Sequence, residues 1–154
     1  MQEGFEMKRL LLLLCVVCTL LGYGCSSENE YFSYGYLKND YGQVAVVAAV
    51  DVQDVKAVGS MGDKETGYVR YLIRGKVIEP FKGEIKSKQT IEYYTVAEKG
   101  YDPAGLRGTR IVFLNSLFDK NKRWFLSELE NSARPASKAI IKKMRQIKKQ
   151  AGSK

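Results

Sequence analysis

The stretch Gly67-Tyr-Val-Arg-Tyr-Leu-Ile-Arg-Gly-Lys-Val-Ile-Glu79 decides the fold class. Val69, Tyr71, Ile73 and Val77 share one parity, and Arg70, Arg74 and Lys76 share the other. Neighbouring side chains of a strand point to opposite faces, so the pattern predicts a long β-strand with one buried and one wet side. Gly75 falls on the apolar parity, where glycine marks a bulge or a bend. Upstream, Val44 to Val55 is valine-rich and nearly continuous, which predicts a long buried strand. Downstream, Pro80 and Gly83 flank a turn, and Gln89 to Val96 reads as a third strand. A glycine-rich loop, Gly100 to Gly108, leads to a fourth strand at Thr109 to Asn115. The turn Asp119-Lys-Asn-Lys122 leads to a fifth at Arg123 to Glu128.

Five strands, two of them long, predict a mainly β fold that closes on itself and so removes exposed edges. The order of features resembles a small five-stranded OB-like barrel, of the netrin-like group that includes the tissue inhibitors of metalloproteinases. The residues carrying the resemblance are Val44-Ala-Val-Val-Ala-Ala-Val50, Tyr71-Leu-Ile-Arg-Gly-Lys-Val-Ile78 with Phe81-Lys-Gly83, and Gly108-Thr-Arg-Ile-Val-Phe-Leu114 before a tryptophan strand. It covers about residues 43–130. Members of that group usually carry disulfides. The inhibitors chelate a protease zinc through an N-terminal cysteine and its free amine. Protease inhibition is not carried over, because the corresponding cysteine here is expected to be acylated.

All three cysteines lie near the start, in Met7-Lys-Arg-Leu-Leu-Leu-Leu-Leu-Cys-Val-Val-Cys-Thr-Leu-Leu-Gly-Tyr-Gly-Cys-Ser-Ser27. The apolar run Leu10 to Leu21 rises only roughly 18 Å as a helix, against a hydrocarbon core of about 30 Å. With Lys8 and Arg9 before it, the run reads as the core of a cleaved signal peptide. A conventional signal cut nearby and an uncleaved anchor are the other readings. Cys15 and Cys18 have C-x-x-C spacing, but they sit among apolar residues with nothing to stabilise a thiolate. Gly22-Tyr23-Gly24-Cys25 resembles the lipobox of bacterial lipoprotein precursors. The resemblance implies a cut at Gly24–Cys25, acyl chains such as palmitate on Cys25, and no free thiol in the mature chain. Ser26 implies sorting to the periplasmic face of the outer membrane. The expected organisation is a signal peptide at 1–24, a lipid anchor and tether at 25–42, a β-barrel domain at 43–130 and a basic C-terminal helix at 131–154. Tyr31, Phe32, Tyr34, Tyr36 and Tyr41 crowd the tether; such rings suit a membrane interface, sugar stacking or the end of a core.

The net charge of +8 is not spread along the chain. Residues 1–130 hold 17 Lys+Arg and 17 Asp+Glu, whereas residues 131–154 hold eight Lys+Arg and no acid. A helix is predicted over Ser132 to Lys149, with Ser132 as N-cap and Pro135 in the first turn. Ile140, Met144, Ile147 and Ala151 form its apolar stripe. Lys138, Lys142, Lys143, Arg145, Lys148 and Lys149 are the candidate surface for anionic lipid or an acidic envelope protein. The other reading is a docked terminal helix with a solvated basic face. Arg70, Arg74 and Lys76 read as the wet side of a strand, and no nucleic-acid partner is expected.

The chain has no histidine, which excludes His-based triads and histidine-held zinc. No catalytic constellation, metal site or cofactor is expected; Asp51, Asp54, Asp63 and Glu65 show no calcium-loop spacing. The expected function is a membrane-anchored envelope lipoprotein that acts as a non-enzymatic binding or adapter module. Two alternatives are an enzyme acting on envelope polymers through Glu79, Glu84, Glu92 or Asp102, and a carrier of a small ligand inside the barrel. The second requires an unfilled apolar cavity.

Overall fold

A computed structural model of the chain describes residues 33–62, 67–130 and 132–153. The signal peptide, Cys25, Asp63 and Glu65 lie outside the described residues. The element order is α1 (Tyr34–Gln43), β1 (Val46–Met61), β2 (Tyr68–Lys82), β3 (Thr90–Glu98), a short 3-10 turn (Pro103–Leu106), β4 (Gly108–Phe118), β5 (Trp124–Glu128), β6 (Arg134–Pro135) and α2 (Lys138–Ala151). The protein is mainly β, with one six-stranded sheet in the order β1-β2-β3-β5-β4-β6 and a C-terminal helix. β1 pairs with β4 as well as with β2. All the pairings are antiparallel except β3–β5, which is parallel and is made at Tyr93 and Tyr94.

The sheet buries both of its faces over part of its area, which explains the two kinds of strand in the sequence. One face carries Val46, Ala48, Val50 and Val52 of β1 with Tyr71, Ile73, Val77, Ile91, Tyr93, Val112, Leu114 and Leu126. The opposite face carries Val47, Ala49, Ile111 and Phe113, covered by α1 and α2. β1 and β4 are buried on both sides there and read as continuous apolar runs, while β2 and β3 alternate. Gly75 stands beside a register shift between Val52 and Asp54, so the expected bulge is present. A Cβ on Gly75 would lie 2.4 Å from Val50 Cγ1 and 2.9 Å from the Asp51 carbonyl oxygen, so only glycine fits.

Four boundaries differ from expectation, each for a local reason. The folded body begins before residue 43: Ser33 caps α1, and Leu37 and Tyr41, four residues apart, are buried under it. The Tyr41 hydroxyl donates to the Phe81 carbonyl at 2.9 Å, and Lys82 Nζ donates to the Tyr41 carbonyl at 2.7 Å. The folded body therefore begins by residue 33, inside the span expected to be tether. β1 runs on to Met61 because β2 pairs with it throughout, so Asp51 and Asp54 stand in a strand and not in a loop. β2 continues through Pro80, opposite Ala48 at a register shift, and Gly83 alone makes the exit, at φ 90. Finally, α2 is capped by Ser137 and not Ser132. Pro135 instead pairs with Arg110 in β6, and Ser132 is buried with its hydroxyl donating to the Leu129 carbonyl at 2.7 Å.

α2 docks through the expected stripe. Ile140, Met144 and Ile147 are buried, while Ala151 is exposed. Such side chains each contribute about 1.5–3 kcal/mol when fully buried. The Tyr34 hydroxyl donates to Gln150 Oε1 at 2.7 Å, which joins the two helices.

Candidate functional site

Strand directions give the sheet two unlike ends. β1, β3 and β5 run away from the end where the β2–β3 and β4–β5 turns lie. At the far end β1, β2 and β3 overhang, because β4 stops pairing with β1 at Val52 and β5 stops pairing with β3 at Tyr94. A cleft of about 710 Å³ opens between this overhang and the β5–β6 connection. Met61, Tyr68, Val96, Tyr101 and Leu129 supply apolar surface, and Thr95, Glu98, Arg110 and Glu128 supply polar groups. Met61, Tyr68, Val96 and Tyr101 are each more than two-fifths exposed, so the cleft is open to solvent.

Glu128 forms the floor. Leu126 and Glu128 share a parity on β5, and Leu126 is buried, so the carboxyl is carried inward. Its Oε2 accepts from the Thr95 hydroxyl at 2.5 Å. Its Oε1 is buried without a hydrogen-bond partner. Burial raises the Glu128 pKa, and the Thr95 hydrogen bond and the charges of Arg110 and Arg134 pull the other way. Burial dominates, because Oε1 has no hydrogen-bond partner among the described residues to offset it. Tyr93 is raised by its own burial and by the Glu128 charge. A neutral carboxyl here has one oxygen satisfied and one able to donate or accept.

The surrounding elements hold this floor in place. Asp102 caps the 3-10 turn by accepting from Ala104 N at 2.9 Å, and that turn drives Leu106 into the core. Arg110 donates to the Gly105 carbonyl at 2.9 Å. Below the cleft, the gap between Ile73, Tyr93, Thr95, Leu106, Arg110 and Glu128 has no room for a water molecule. The space therefore lies at the end of the sheet and not within it at that point. No group of three or more metal-ligating side chains occurs among the described residues.

The residues expected from sequence lie elsewhere. Lys138, Lys142, Lys143, Arg145, Lys148 and Lys149 follow α2, on the far side of the sheet from the Leu126 face. Arg145 grips Glu79 with two bonds of 2.9 and 2.8 Å, and Lys148 donates to the Pro80 carbonyl at 2.8 Å. These two cations are partly committed to docking the helix. The Arg145 hydrogen bonds hold the Glu79 carboxyl below its ordinary range against the opposing effect of burial. Glu79, Glu84, Glu92 and Asp102 do not line the cleft. Glu128 was missed, although it is legible in Trp124-Phe-Leu-Ser-Glu128: an acid on the parity of a core leucine is the signal. No protein-family model matches the chain, and no curated protein matches it in sequence.

Proposed function

We propose that the protein is a lipid-anchored binding module of the cell envelope that captures an extended segment of another envelope protein in the cleft above Glu128. The anchor rests on the resemblance of Gly22-Tyr23-Gly24-Cys25 to a lipobox, with the membrane as first partner and the periplasmic face of the outer membrane as location. We further read the sheet as a five-stranded barrel of OB type. That reading is supported by the return of the pairings to β1 through β4 and by a core cluster with members from each of β1 to β5.

One observation carries the binding role. Beyond Tyr94 no strand pairs with β3 on its β5 side among the described residues, and this edge, Thr95 to Glu98, runs along the cleft. An added strand would take the edge's backbone groups, and alternate side chains would enter the apolar walls. Glu128 Oε1 would find its missing partner in the segment's backbone. An interior carrier is disfavoured by the filled gap between Ile73, Tyr93 and Leu106. An enzyme using Glu79, Glu84, Glu92 or Asp102 has no support from their placement.

Two measurements test the reading. Intact mass of the protein taken from its native membrane is expected to show acyl chains at Cys25 and no leader. A photo-crosslinking residue at Val96 or Tyr101 is expected to give a discrete protein adduct in living cells, and one at Lys142 is not. Equal labelling at all three positions, or none at any, defeats the adapter role.

A further inference from the structure

The end of the molecule opposite the cleft carries the most exposed aromatic side chains among the described residues. Phe118 is 72% exposed and Trp124 is 65% exposed, and they are cross-strand partners where the β4–β5 hairpin turns. Leu117 beside them is exposed as well. The turn between them is held rigid. Asp119 accepts from Asn121 N, Arg123 N and Arg123 Nε, each at 2.8–2.9 Å, so the one acid of the tip is consumed internally. Lys120 and Lys122 project from it, exposed. Lys122 at φ 60 and Lys88 at φ 69 are the non-glycine residues with left-handed backbone among those described. Such positions suit glycine or asparagine; here both are lysines, and both lie in turns at this end.

α1 begins and α2 ends at the same end. α2 starts beside Thr109, through Ala136 N donating to its carbonyl, and runs toward Pro80, which Lys148 reaches. Thr109 pairs with Asp51 and Pro80 with Ala48, so the helix points toward the hairpin end. Its C-terminal Lys148 and Lys149 therefore lie toward the tip. Tyr34 bonds Gln150 there, so α1 begins at this end.

We propose that this end rests on an anionic bilayer surface, with Phe118 and Trp124 seated at the headgroup level and Lys120, Lys122 and Lys149 facing lipid phosphates. Exposed aromatics bordered by cations match the chemistry of a bilayer interface, apolar below and negatively charged at the level of the headgroups. The orientation rests in part on the lipid-anchored reading, since a tether starting near residue 33 brings this end to the membrane. It leaves the cleft facing away from the bilayer, where a partner can reach it.

Trp124 is the chain's sole tryptophan, so its fluorescence reports the contact directly. The full-length product purified from its membrane is mixed with vesicles of zwitterionic lipid, alone or with an equal share of phosphatidylglycerol, some acyl chains being brominated. The expected result is a blue shift and strong quenching in the anionic vesicles, several-fold weaker quenching with Lys120→Glu plus Lys122→Glu, and a similar loss at high salt. Phe118→Ser, chosen at an exposed site so that the fold survives, should also weaken quenching while circular dichroism stays unchanged. Unshifted, iodide-accessible Trp124 emission in anionic vesicles overturns the proposal. So does shielding seen only in whole envelopes, which would assign the tip to a protein partner. Intact mass separates the two ideas: acylated Cys25 without quenching leaves the anchor and removes the contact. Quenching with a bare Cys25 does the reverse.

Discussion

Replacing Glu128 by glutamine should stabilise the protein at neutral pH and leave it unchanged in acid. The Thr95 hydroxyl donates to Glu128 Oε2, and a glutamine carbonyl can accept the same bond. The substitution removes only the ionisation. Burial raises the Glu128 pKa from its ordinary 4.5, so the folded chain holds the proton more tightly than the unfolded chain does. Between the unfolded and folded values the native state binds more protons, and stability falls as pH rises through that window. The contribution is whole below about 4.5 and lost above the folded value. Glutamine leaves the same atom unpartnered but uncharged, so the difference is that between a charged and a neutral unsatisfied group, about 2 kcal/mol. Taking about 2 kcal/mol and an unfolding entropy of about 0.25 kcal/mol/K for a body of this size, the melting points should differ by about 8 °C. Thermal unfolding of both proteins at pH 4.5 and pH 8, followed by circular dichroism, reads the difference. Other carboxyls cancel, because both proteins share them. An equal gap at the two pH values, or a less stable glutamine protein at pH 8, would mean that Arg110 and Arg134 hold an ionised Glu128 and that the floor is not neutral.

Gly75→Val should cost at least about 3 kcal/mol in urea unfolding, because its Cβ would meet Val50 Cγ1 and a backbone oxygen that cannot yield. Met144→Ala should cost about 3 kcal/mol, as Met144 is fully buried beneath α2, whereas Lys142→Ala on the outer face should change stability by less than about 0.5 kcal/mol. Arg145→Ala should return the Glu79 titration, followed by NMR, upward toward the ordinary carboxylate range, since the Arg145 hydrogen bonds are the main cause of its depression.

The strands were legible because burial writes itself into the chain at strand period. Alternation in Val69 to Val77 marks a strand with one wet side, and the unbroken run Val46 to Val50 marks one covered on both. What covers the second side was half legible. The Ile140, Met144, Ile147 stripe identified α2, but α1 was hidden: Tyr34 to Gln43 contains Gly35 and Gly42, weak helix formers, and buries only Leu37 and Tyr41. Tertiary contact holds that helix, through Tyr41 on Phe81 and Lys82 on Tyr41, and a local pattern cannot carry such partners. The α2 start was misplaced for a similar reason. Ser132 and Ser137 are equally good caps by type, and the strand pair Arg110–Pro135 decides between them.

The site was obscured by the choice of signal. Selecting acids by type leads to Glu79, Glu84, Glu92 and Asp102, whose environments are a helix clamp, an exposed turn, a wet strand face and a turn cap. Selecting residues that contradict their own strand parity leads to Glu128, an acid among core positions. It also leads to Phe118 and Trp124, whose large apolar surfaces stand in solvent. Each such residue opposes the hydrophobic pattern that folds the chain, so each lowers stability unless a partner outside the chain supplies what is missing. The two kinds of contradiction sit at opposite ends of the strands, a buried polar group at one and exposed apolar groups at the other. A partner offering hydrogen bonds suits the first and a partner offering an apolar interface suits the second. The proposed mooring to a membrane at one end and capture of a protein segment at the other would meet both demands with one sheet.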